Sequence, residues 1–273
     1  MRISVVTPTL ESAHFLRTCA ASIRMQSAPG LEVEHIVVDS GSTDGTAQLA
    51  SELGCTVRSV EPGTGIFAAT NIGTRASDGD LVGYLGADDV LFPGALDAVG
   101  RTYHRSGRRW VTGSYHWVDE QFRPLGTLAA PPQWLTSELH ASLGWSFICH
   151  MATYFERSLF DEIGGFDPAY RASGDYKFFT EALHRTPFAR VAQPVAAFRR
   201  HGANVSMVDP AVVTESQLVT NEYGPSRHSQ RLAYQAWMKA YVNLRNPMWA
   251  YRKRRPLPAV TSLEPARPAT KAA

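Results

Sequence analysis

Residues 34–54 read EHIVVDSGSTDGTAQLASELG, and the fold is decided there. Glu34 to Val38 ends in a β-branched run and reads as a strand that stops at Asp39-Ser40-Gly41-Ser42. Thr43 to Leu53 then reads as a helix, with Gly54 just past its end where a left-handed cap residue belongs. The same alternation continues on both sides. Upstream, Ile3 to Thr7 is a buried strand ended by Pro8, and Ser12 to Met25 is a helix with Phe15, Leu16, Cys19, Ala20 and Ile23 at helical spacing and Ser12 as its N-cap. Downstream come a strand over Cys55 to Val60, a helix over Ala68 to Ala76, and a strand over Asp80 to Leu85 that runs into Gly86-Ala87-Asp88-Asp89. Such alternation predicts an α/β fold, with a mostly parallel central sheet and helices on both faces.

In sheets of this kind, ligands bind beyond the carboxyl ends of the strands. Three of those ends carry polar or acidic residues: Thr7-Pro8-Thr9, Asp39-Ser40-Gly41 and Asp88-Asp89. One acidic strand end means little, but three on one rim point to a polar ligand. The second half is less regular, with strands expected near Trp110 to Tyr115 and Ala189 to Phe198 and helices near Arg157 to Ile163 and Tyr176 to His184. A long helix follows from Gln230, and from Pro256 the Pro- and Ala-rich tail reads as disordered.

Bulk properties exclude several classes. The chain has 273 residues, 44% of them hydrophobic and 19% charged, with a formal net charge of +2. That is the profile of an ordinary globular protein and not of a dedicated nucleic-acid binder. Cys19, Cys55 and Cys149 form no CxxC pair, so they read as reduced, buried thiols. The N-terminal apolar run is too short for a secretory signal, and no stretch approaches the roughly 20 apolar residues of a membrane span. A cytoplasmic location is the expectation.

Adjacent Asp88 and Asp89 repel each other, and both stay ionised only if a cation or donor groups compensate. Mg²⁺ or Mn²⁺ accepts one or two protein carboxylates and completes its shell with substrate phosphate oxygens. The alternative is a solvated turn or helix cap. Asp39, at the crevice, suits a ribose hydroxyl or a base N–H, whereas Ser42 and Thr43 read as helix caps and Asp44 as a partner of the helix dipole. Gly63-Thr64-Gly65 fits neither the dinucleotide fingerprint nor the P-loop. Asp175 is either a helix cap or a general base near an acceptor hydroxyl. His201 is a metal ligand, a pyrophosphate contact or a plain loop residue, and His150 reads as a satisfied buried histidine. Trp134 and Trp145 either stack on a sugar or pack in the core.

Taken together, the motifs resemble inverting glycosyltransferase family 2, from Ile3 to about Ser206. Val5 to Thr9 resembles the family's first strand and nucleotide loop, and Ile36 to Thr46 its uracil-binding segment. Gly65 to Gly73 and Gly79 to Leu85 lead into Asp88-Asp89 as its metal motif. Phe155 to Asp167 resembles the segment before its catalytic aspartate, where Asp175 falls, and His201, Gly202 and Ser206 match its closing histidine loop. The chain departs from the family at Gly86, where an acidic residue is frequent, at Ala68, often Asp, and at Glu11, often Asn.

The resemblance implies a GT-A type nucleotide-sugar-binding fold and transfer of a sugar from a nucleoside-diphosphate donor, UDP-linked by preference, to an acceptor hydroxyl on a glycan or lipid-linked molecule. It implies Asp175 as the catalytic base and Thr7, Pro8, Thr9, Glu11, Asp39, Gly65, Asn71 and Asp88 as nucleotide contacts. It further implies Asp88, Asp89 and His201 around Mg²⁺ or Mn²⁺, and Trp145 and His150 on the acceptor side. A non-catalytic nucleotide-sugar-binding protein of the same fold is the alternative. A nucleotidyltransferase is disfavoured, because Thr9-Leu10-Glu11-Ser12 offers no glycine-rich basic loop. The expected boundaries are a catalytic domain over 1–208 (nucleotide half 1–100, acceptor half 101–208), a helical extension over 209–255 and a tail over 256–273. The extension, ending in Arg252-Lys253-Arg254-Arg255, can rest on an anionic membrane surface or pack on the catalytic domain or a second subunit, and packing is favoured.

Overall fold

A computed structural model describes residues 1–245. The remainder of the helix expected from Gln230, the basic run Arg252 to Arg255 and the tail lie outside the described residues. The first half follows the expected order: β1 (Arg2–Thr9), α1 (Ala13–Arg24), β2 (Glu32–Asp39), α2 (Thr46–Glu52), β3 (Thr56–Ser59), α3 (Ile66–Arg75) and β4 (Leu81–Tyr84). The second half adds β5 (Val90–Leu91), α4 (Ala95–Ser106), β6 (Trp110–Val118), β7 (Pro124–Leu128), α5 (Ser137–Ala141), a 3₁₀ turn (His150–Ala152), β8 (Thr153–Phe155), α6 (Arg157–Ile163), α7 (Gly174–Arg185) and β9 (Ala189–Arg199). Three helices close the described chain: α8 (Val205–Val208), α9 (Ala211–Tyr223) and α10 (His228–Arg245).

The described strands form one sheet in the order β3-β2-β1-β4-β8-β6-β9-β5, with β7 pairing off this path along the second half of β6. The block β3-β2-β1-β4 is parallel, as the alternation predicts. Beyond it, β8 runs antiparallel between β4 and β6, and β6 and β9 form a parallel pair. Side chains on β2 alternate between two layers. Val37 packs with Leu16 and Ala50 under α1 and α2, while Ile36 and Val38 face the main core with Phe67 and Ala69 of α3. Helices therefore cover both faces, and β1 and β4 are accordingly buried along nearly their whole length.

α3 also locks the second half onto the first. Asn71 donates from Nδ2 to the Phe166 carbonyl at 2.7 Å and accepts the Phe166 N–H at 2.8 Å. Gly165, at φ 86°, lies so close that an added Cβ would stand 2.8 Å from the Asn71 Oδ1. Asn71, expected to contact nucleotide, is thus spent on the backbone of the Gly164-Gly165-Phe166 turn.

His140 is fully buried between α5 and α7. Its Nδ1 lies 2.9 Å from Thr180 Oγ1, whose own hydrogen goes to the Tyr176 carbonyl, so the ring N–H donates to Thr180. Nε2 accepts the Phe147 N–H at 3.2 Å. Burial pushes the His140 pKa down from 6.5 to about 3, and it pushes His35, held between Thr7 and Cys55, down to about 4.

Two tests follow from these contacts. An unfolded imidazole takes its proton near 6.5, and these folded ones only near 3 and 4, so the unfolded state binds more protons in between. Their stabilising contribution is complete above pH 6.5 and lost progressively as the pH falls toward 4. Urea midpoints measured from pH 7 to 4.5 should decline, and replacing either histidine by Asn should remove its share of that slope. Asn71→Ala orphans a buried N–H and a buried carbonyl and should cost about 2–4 kcal/mol in urea unfolding. Nucleotide affinity per folded molecule should stay within about twofold, whereas a large loss of affinity would restore Asn71 to the ligand.

Candidate active site

The carboxyl ends of β2, β1 and β4 lie side by side along one edge of the sheet. Asp39 ends β2 and is only 2% exposed. Its Oδ1 accepts from the Thr9 hydroxyl at 3.1 Å and from the Ser42 hydroxyl, and its Oδ2 accepts the Ser42 N–H at 3.0 Å. One acceptor direction on Oδ2 is left over. Glu11, in the left-handed region at φ 49°, ties the two loops together: its N–H donates to Ser42 Oγ, and its carboxylate accepts the Thr43 N–H at 2.7 Å.

Ser42 is therefore a brace for Asp39 and Glu11, not the helix cap its position suggests. The helix N-termini are served by Asp44, which accepts from the Thr46 N–H of α2 at 3.0 Å and from the Ala13 N–H of α1 at 2.9 Å. The Thr46 hydroxyl bond comes first among the contacts that hold its pKa below the usual carboxylate value. Thr7 differs from expectation. It is fully buried and its hydroxyl meets His35 Nε2 at 2.9 Å, so it supports the rim from beneath, while Pro8 is half-buried. Gly65 precedes α3, and an added Cβ there would meet nothing within 4 Å.

Beyond β4 the two adjacent carboxylates part company. Asp89 is 2% exposed and accepts the Arg199 N–H at 3.0 Å, which ties the end of β9 to the end of β4. Burial drives its pKa well above the usual range, and neighbouring Asp88 adds to the rise. Asp88 faces the other way. Its Oδ2 lies 2.9 Å from His201 Nε2 and accepts from Asn204 Nδ2 at 3.0 Å. His201 Nδ1 accepts the Ala203 N–H, so Nε2 carries the ring hydrogen toward Asp88. Gly86 makes this possible, because an added Cβ would stand 2.5 Å from Asp88 Oδ1 and 3.1 Å from Asp89 Oδ2.

Among the described residues no three His, Cys, Asp or Glu side chains form a cage for a metal ion. The pair of Asp88 and His201 nonetheless fits a hard divalent cation that draws its remaining ligands from phosphate and water. Asp89, expected to share that task, faces inward instead.

Arg199 lies beside both carboxylates, with its guanidinium 4.0 Å above the Phe122 ring and 5.1 Å from that of Phe15. Its Nε and Nη2 have no hydrogen-bond partner among the described residues, and burial lowers its pKa against the pull of Asp88 and Asp89. No motif in the sequence marks Arg199. Its place at the end of the β-branched and alanine-rich run of β9, two residues before His201, was the available signal.

Asp175 sits in the first turn of α7, and its Oδ2 is 3.4 Å from His150 Nδ1. The His150 ring stacks flat on Tyr84, the last residue of β4, at 4.2 Å and 3°. Burial raises the Tyr84 pKa, and Asp175 is the next cause. Cys149 is likewise raised by burial and then by Asp89 and Asp175, so both carboxylates act on one thiol. His150 is therefore not a satisfied core residue but the neighbour of Asp175. Trp145 is 43% exposed in a groove with Leu143, Met238 and Val242, and Trp134 stacks on Trp237 at 4.3 Å. α10 packs on this region, with Gln235 donating to the Ser142 carbonyl at 2.8 Å. No described helix is long and apolar enough to cross a membrane.

Comparison with known proteins agrees with this architecture. A PGL/p-HBAD biosynthesis glycosyltransferase from Mycobacterium bovis (strain BCG / Pasteur 1173P2) is 30% identical over 184 residues, spanning 64% of this chain and 67% of the relative. Among solved structures, S. aureus TarS 1-349 in complex with UDP matches with a TM-score of 0.64 at 16% identity, covering 86% of this chain and 70% of that one. Mannosyltransferase PcManGT from Pyrobaculum calidifontis, in complex with GDP-Man and Mn²⁺, matches with a TM-score of 0.60 at 17% identity, covering 92% and 73%. The sequence pattern described as glycosyl transferase family 2 matches residues 4–164, more than half of the chain, and on that match the chain belongs to glycosyl transferase family 2.

Proposed function

We propose that this protein transfers a sugar from a nucleoside-diphosphate sugar, preferentially UDP-linked, to a hydroxyl of a glycan or lipid-linked acceptor, with inversion at the anomeric carbon. The observation that carries this reading is two carboxylate groups built around the end of β4. Asp88 is held by His201 and Asn204, and Asp175 neighbours His150, which stacks on Tyr84. A single displacement needs two such groups: one to take a proton on the attacking face and one for charge compensation on the departing face.

Asp39 and its braces Thr9, Ser42 and Glu11 hold the base, whose ring N–H points to the spare Oδ2 acceptor. Such an N–H is present in uracil. The neighbours named above were solved with UDP in one case and GDP-Man in the other, and a base N–H is common to both. Asp175 accepts the proton of the acceptor hydroxyl as its oxygen bonds to the anomeric carbon and the bond to the diphosphate breaks. His150 Nδ1 stands 3.4 Å from Asp175 Oδ2, a long approach that keeps a polar neighbour beside the base. Asp88 and His201 would hold Mg²⁺ or Mn²⁺, which would supply positive charge against the negative charge gathering on the departing diphosphate. The acceptor lies toward Trp145, whose exposed ring suits an apolar or sugar face.

Asp175→Asn should leave donor affinity within about twofold and reduce turnover by about 10²–10⁴, read as release of nucleoside diphosphate in the presence of acceptor extracts. Turnover near normal would remove Asp175 from the base role. Asp88→Ala should abolish the Mn²⁺-dependent part of nucleotide binding measured calorimetrically. Binding by that variant that still depends on Mn²⁺ would move the cation elsewhere.

A further inference from the structure

We infer that Glu215, on α9 and outside the residues of the family match, positions Asp175 for catalysis. The inference rests on the base role proposed for Asp175. Three consecutive backbone N–H groups lead into α7, and the Glu215 carboxylate accepts all of them: Arg171 on Oε1 at 2.7 Å, and Ala172 and Ser173 on Oε2 at 2.9 and 2.8 Å. Glu215 is 8% exposed, so these bonds are shielded from competing water. Ser216 adds a hydroxyl contact to Ser173 Oγ at 3.3 Å, and Asp209 an ion pair to Arg171 at 3.4 Å.

From the opposite side, the loop is closed by α3. An added Cβ on Gly174 would stand 2.7 Å from the Phe67 ring, so the backbone just before Asp175 is clamped between that ring and the Glu215 carboxylate. Among the described residues nothing comparable holds the Asp175 side chain itself, which has its neighbour's N–H at 2.8 Å and the long approach to His150. Its aim is therefore set by the backbone, and the backbone is set by Glu215. The same run of chain that puts His201 and Asn204 on Asp88 continues through α8 into α9, so one segment serves both faces of the cleft.

Misplacing a catalytic group by about 1 Å can cost on the order of 10²-fold in rate. Glu215→Gln sets an amide donor against one or more of these N–H groups and should lower kcat by about 10- to 100-fold, with donor KM and nucleotide-binding stoichiometry unchanged. In an Asp175→Asn background the same change should cost less than about threefold, because a positioning residue acts only through the group it positions. Glu215→Asp keeps both acceptor oxygens one methylene short. It should fall between wild type and Glu215→Gln, show the same non-additivity, and stand in if the Gln variant does not fold. Equal losses in both backgrounds, or a Glu215→Gln enzyme within twofold of wild type, would overturn the inference. A fully active Asp175→Asn enzyme would instead overturn the base role, and the inference with it.

Discussion

Two carboxylates placed next to each other at the end of an apolar strand cannot both be left in a low-dielectric environment without compensation. Here the conflict is resolved by division. Asp89 turns inward and takes the Arg199 N–H, and Asp88 turns outward to His201 and Asn204. The inward bond spans 110 positions of sequence and brings the end of β9 beside that of β4. That joint adds to the pairing of Val90 with Ala197 in holding His201 beside Asp88. The buried acid therefore builds the site that the exposed one uses, and Gly86 gives both carboxylates their room.

On the other side of β4 the same logic is carried by aromatic packing. Tyr84 ends the strand, His150 lies flat against it, and Asp175 faces His150. Rigidity comes from below, where Phe166 stacks on Phe178 at 4.3 Å and Asn71 pins the Phe166 backbone to α3. The two halves of the chain thus share one core, and the cleft lies over their seam.

The parallel block and the rim were legible in the sequence because each strand is a short apolar run that stops at a polar turn, as Val38-Asp39 and Leu85-Gly86 show. Side-chain direction at those turns was not legible. Thr7, Asn71 and Asp89 belong to the right segments, yet the Thr7 hydroxyl, the Asn71 amide and Asp89 Oδ1 are taken by His35, Phe166 and Arg199, partners that lie 28 to 110 positions away. Periodicity cannot report such distant pairings. α4 was missed although Leu96 and Val99 lie on its buried face between Gly94 and Gly107, both left-handed. β8, three residues long, has no period to read, and it is nonetheless the strand that joins the two halves of the sheet.

That last strand sets an order on biosynthesis. The β4 edge is completed only by β8, which is encoded some seventy positions later, and β6 waits still longer for β9. A ribosome-bound chain that has emitted its parallel block therefore displays an unsatisfied ladder of amides and carbonyls along a fully apolar strand. Until Thr153 to Phe155 emerge, that ladder is open to pairing with other nascent chains, and shielding by a chaperone is of most use during that interval.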